Sequence, residues 1–151
     1  MNRLQHLKTM ASLLDRDHEL LLQHLSDVQA LCAKGAFQPA ARVFGEYRHA
    51  QEHHLASEEL ALRKLEEAQG CPPGFAASME SEHAKLRALV DETWVALSHH
   101  DAALLQRAIA PLMQAFSAHE RRERDELLPR LADTLVDPNR IDHAVRALVQ
   151  R

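Results

Sequence analysis

Histidine and glutamate interrupt the apolar face of one helical stretch after another in this chain, and they do so in register. His18, His54 and Glu58 recur as His83, His119 and Glu123, each shifted by 65 positions. The two histidines stand 36 residues apart in both halves, and each second histidine is followed four residues later by a glutamate. These are the stretches "HHLASEEL" (53–60) and "HERRERDELLP" (119–129). Of the 11 histidines, only His54 and His119 carry a glutamate at that offset. A repeat of this kind predicts two copies of one helical hairpin related by a pseudo-twofold axis.

The apolar spacing around these residues is helical throughout. Helix 1 is expected over about 2–33, with the stripe Leu4, Leu7, Ala11, Leu14, His18, Leu21, Leu25 and Val28. Its steps of three and four define one helix face, and Lys34-Gly35 reads as its stop. Helix 2 is expected from Gln38-Pro39 to before Gly70, with Phe44, Tyr47, Gln51, His54, Glu58, Leu62 and Leu65 facing inward. His53 is rotated about 100° from His54 and is expected to face elsewhere. After the "GCPPG" loop (70–74), helix 3 presents Phe75, Met79, His83, Leu86, Val90, Trp94 and Leu97, so Trp94 is read as core. Asp101 is the expected N-cap of helix 4, which presents Leu105, Ile109, Leu112, Phe116, His119, Glu123, Leu127 and Leu131. A kink is expected at Pro111 and a disturbed helix end at Pro129. Asp137-Pro138 opens a short fifth helix over about 138–150, with Ile141, Val145, Leu148 and Val149 on its apolar face. The expected fold is all-α: an antiparallel up-down-up-down four-helix bundle with a short fifth C-terminal helix. It forms one domain over 1–151.

Composition narrows the function classes. A net charge of −4 gives no basic surface for nucleic acid. No apolar run approaches the ~20 residues of a membrane span, and "MNRLQHLKTM" has no signal-peptide core. Cys32 and Cys71 make neither a disulfide framework nor a CxxC knuckle. The expectation is a soluble cytoplasmic protein, a monomer or a homodimer.

Packed without a cation, four imidazoles and two carboxylates at mid-bundle would be very unfavourable, since buried ion pairs do little better than break even. Bound cations remove that cost. The i, i+4 spacing sets His and Glu side by side on one face, in reach of one centre. Imidazole and carboxylate without thiolate argue for iron or manganese, with zinc as an alternative. The candidate metal ligands are therefore His18, His54, Glu58, His83, His119 and Glu123. Two histidines per metal and two shared glutamates leave room for an oxo or hydroxo bridge between two metal ions and for a small exogenous ligand such as O2 or NO.

The motifs "DRDH" (15–18), "HLASEE" (54–59), "SEH" (81–83) and "HERRERDELLP" (119–129) together resemble the hemerythrin-like family, the HHE cation-binding domain. The resemblance covers about residues 10–132, the expected metal-binding core, and implies a non-heme centre of two iron ions, oxo- or hydroxo-bridged, in a four-helix bundle, with manganese or zinc as alternatives. Oxygen-carrying hemerythrins have a further His and an Asp where this chain has Arg87 and Arg124. The symmetric set of four His and two Glu is more similar to the branch that includes iron-centre repair proteins and iron-sensing domains. The leading expectation is a non-enzymatic protein that binds O2, NO or a related molecule for sensing, storage or stress protection. The alternatives are a di-iron redox enzyme or iron donor, and a metal-stabilised regulatory module.

Overall fold

The computed structural model describes residues 3–134. Four long helices follow one another: α1 (Arg3–Ala33), α2 (Phe37–Glu67), α3 (Phe75–Ser98) and α4 (Ala102–Arg122). A π-helical turn (Glu123–Leu127) then leads into the short α5 (Leu128–Thr134). No strand occurs among the described residues, and no described helix is long and apolar enough to cross a membrane. The expected helix over 138–150 lies outside the described residues, as do the side chains of Leu4, Leu7 and Ala11 at the start of the α1 stripe.

Local chemistry sets the helix ends. Gly35 takes a positive φ of 75°, and Ala36 N–H returns to the Leu31 carbonyl at 2.9 Å while Gly35 N–H returns to Cys32 at 3.0 Å. This pattern closes a helix where glycine supplies the left-handed residue. Asp101 caps α4 as expected, its carboxylate accepting from the N–H groups of Ala103 (2.9 Å) and Leu104 (3.1 Å). The α4 helix runs through Pro111 without ending. Pro129 is met differently. Its ring would clash with the carbonyl four residues back, and it lacks an N–H. The chain widens just before it, so that Leu128 N–H donates to the Glu123 carbonyl five residues back.

The connections are short, so sequential helices run antiparallel. α1 packs on α2 and α4, and α3 packs on the same two, so the four close into a bundle. Two apolar clusters fill its ends. One gathers Leu14, Leu62, Leu65, Phe75, Met79 and Leu131, and the other gathers Leu21, Leu25, Phe44, Tyr47, Leu86, Ile109 and Phe116. Trp94 departs from the expected core. It is 38% exposed, stacked on Phe44 at 6.0 Å with the Arg48 guanidinium 5.0 Å over its ring. Thr93 takes the buried position instead, satisfying its hydroxyl on the Leu89 carbonyl at 2.7 Å.

Candidate metal centre

Between the two apolar clusters lies a polar layer. α1 brings His18 to it, α2 brings His54 and Glu58, α3 brings His83, and α4 brings His119 with Glu123 at its junction with the π turn. All six are buried, none more than 5% exposed. One donor atom from each of His54, Glu58, His119 and Glu123 lies within 4.8 Å of the others. His18 and His83 join them through the carboxylates. His18 Nε2 is 3.0 Å from Glu123 Oε2, and His83 Nε2 is 2.8 Å from Glu58 Oε2. The imidazoles form two edge-to-face pairs, His18 with His54 at 5.2 Å and His83 with His119 at 4.9 Å. His49 and His53 point to solvent.

Glu58 stands between the pairs. Its Oε1 is 2.8 Å from His54 Nε2, while its Oε2 is 2.8 Å from His83 Nε2 and 2.9 Å from His119 Nε2. Glu123 Oε1 lies 3.5 Å from His54 Nε2. On the His18–His54 side these approaches are close but not aligned as hydrogen bonds. Both nitrogens of His18 and His54, Glu58 Oε1 and both Glu123 oxygens have no hydrogen-bond partner. Each orphaned buried polar group costs about 1–3 kcal/mol. Atoms that crowd together without bonding one another form a buried group that could hold a cation. The donors are nitrogen and oxygen only, which suits iron, manganese or zinc. Cys32 packs in the second apolar cluster and Cys71 against the first.

Behind the imidazoles stands a second ring of carboxylates. His83 Nδ1 meets Glu59 Oε1 at 3.0 Å, and Glu59 is held by Arg87 at 2.7 Å. Arg87 also grips Glu52 through two contacts of 2.9 Å. His119 Nδ1 meets Glu82 Oε1 at 2.8 Å, and Glu82 is held by Arg122 at 2.7 Å. Asp17 and Glu120 sit behind the other pair at longer range, 3.8 Å from His54 Nδ1 and 3.5 Å from His18 Nδ1.

Electrostatics follow the geometry. Burial works against an imidazolium at His54, but Glu58 and Glu123 hold its pKa well above the usual range. Burial likewise opposes His119, yet its bonds to Glu58 and Glu82 push it up to about 10. Burial would raise Glu58, and the facing His54 and His119 hold it well below the carboxylate range. The His119 bond, with Arg122 adding to it against burial, brings Glu82 down to about 2. Glu120 moves the opposite way, raised by burial despite His18 beside it.

The family model for the hemerythrin HHE cation-binding domain matches residues 9–131. The chain belongs to that family. No curated protein and no solved structure gives a significant match. This hemerythrin-like chain thus carries, in a family defined by cation binding, a buried His/Glu group able to hold a metal. The structure brings together all six residues that the sequence singled out. It adds the outer carboxylates Asp17, Glu59, Glu82 and Glu120 and the arginines Arg87 and Arg122. Their signal in the sequence was adjacency, since each acidic residue neighbours one of the six, but its meaning needed the fold.

Proposed function

We propose that this hemerythrin-like chain holds two iron ions on His18, His54, Glu58, His83, His119 and Glu123 and binds a small diatomic ligand, O2 or NO. It would do so as a sensor, store or protectant rather than as a catalyst. One observation carries the reading: Glu58 presents one oxygen to His54 and the other to His83 and His119, which suits a carboxylate shared between two cations. When bound, such ions supply redox-active centres with coordination positions left over for a small molecule. The chain's own residues supply the rest. Behind His83 and His119 the outer carboxylates Glu59 and Glu82 accept from the imidazole Nδ1–H groups, which fixes the tautomer of those two rings and leaves their Nε2 atoms to ligate. Phe116, edge-on to His18 at 5.7 Å, and the flanking apolar clusters keep bulk water from the centre.

The test is metal analysis of protein purified without air, followed by ultraviolet–visible spectra before and after O2 or NO. Two irons per chain and a ligand-dependent absorption change are expected. The double variant E58Q/E123Q should lose both irons. Retention of two irons per chain by that variant would overturn the assignment.

A further inference from the structure

The structure assigns a cation inlet to the cavity over His18, through which a hydrated divalent metal ion reaches the centre. The inference rests on the metal-binding reading above and adds a route to it. The cavity, about 230 Å³, is lined by Asp15, His18, Glu19, Leu22, Glu120 and Arg124. Three of these are carboxylates and one is a cation. Of the six candidate ligands His18 is the most exposed, at 5% against 0–1% for the others. Both of its ring nitrogens lack a hydrogen-bond partner, as does Glu120 Oε1. The floor is thus a buried, unpartnered imidazole and the walls are acidic.

That sequence of groups matches what a metal ion needs on its way in. A negatively charged cleft raises the local concentration of cations and speeds their arrival. Carboxylate oxygens replace hydration water on hard divalent ions readily, and an imidazole then takes iron more selectively. Arg124 stands at the mouth as a latch. It pairs with Asp15, and both partners are about half exposed, so the pair is weak and opens easily. Behind His83 and His119, by contrast, the arginine-backed carboxylates Glu59 and Glu82 occupy the Nδ1 edges.

The experiment follows metal uptake instead of ligand binding. The full chain is stripped of metal by chelation, checked for helicity by circular dichroism, and mixed anaerobically with Fe(II) in a stopped-flow instrument. Final stoichiometry is read separately. R124E should speed uptake and E19Q should slow it, each roughly three- to tenfold at low salt and less at high salt, with unchanged iron per chain. E92Q, on the diagonal helix α3, should leave the rate alone. Equal rates in all four proteins, or an equal slowing by E92Q and E19Q, would overturn the inlet. So would a fall in stoichiometry with E19Q. A wild-type chain that takes up no iron would overturn the metal reading itself and the inlet with it.

Discussion

The His83–His119 pair and the His18–His54 pair come from the same repeat, yet they are held in different ways. Behind the first pair each carboxylate contact is 2.8–3.0 Å and each carboxylate is gripped by an arginine at 2.7 Å. Behind the second the contacts stretch to 3.5 and 3.8 Å. The positions 65 residues before Arg87 and Arg122 are Leu22 and Ser57, neither able to play the arginine's part. The repeat therefore preserves what points inward and one carboxylate behind it, Asp17 matching Glu82, but has let go of the arginines. One half is tied down from behind by arginines and the other is not.

Removing the shared group would break the comparison outright. Glu58→Ala should abolish binding of both metals and lower the unfolding free energy by about 3–5 kcal/mol, because buried imidazoles lose their counter-charge. Urea denaturation and metal analysis measure the two effects. Next in size is the loss of a support. Arg87→Met should reduce iron affinity roughly 10- to 100-fold in competition with a chelator, the usual penalty for disturbing a group that orients a ligand. The matching change on the loose side, Glu120→Gln, should cost less than about threefold in the same assay, since that contact is already long. If the two variants fall equally, the halves are not held differently. Leu22→Arg sharpens the contrast by placing a guanidinium in the cavity beside Glu120. It should slow release of iron to a chelator roughly two- to fivefold by tying that carboxylate down.

Much of this was legible in the amino-acid pattern because burial and helical phase obey simple periodicities. The stripes through Leu21, Phe44, Leu86 and Phe116 end in the core as expected, and the inward His and Glu follow the same phase. Trp94 broke the rule because a stripe read in steps of three and four tolerates an error of one residue, about 100° of rotation. Thr93, whose hydroxyl bonds its own helix backbone, could fill the buried slot while the indole found a stacking site at the rim. The partners of Glu59 and Glu82 were illegible because Arg87 and Arg122 reach them across helices, 28 and 40 residues away in the chain. No local periodicity encodes such a pairing.

The widened turn at Glu123–Leu127 sets the two central carboxylates on unlike backbone. Glu58 rises from the interior of a regular helix whose ladder fixes its root. Glu123 springs from a widened π-helical turn, the kind of local irregularity that recurs at functional sites. The two carboxylates thus reach one polar layer from roots of different backbone geometry. Pro129, two residues beyond the turn, denies the chain an N–H there, so the ladder around Glu123 cannot be restored to the regular pattern that holds Glu58 without replacing that proline.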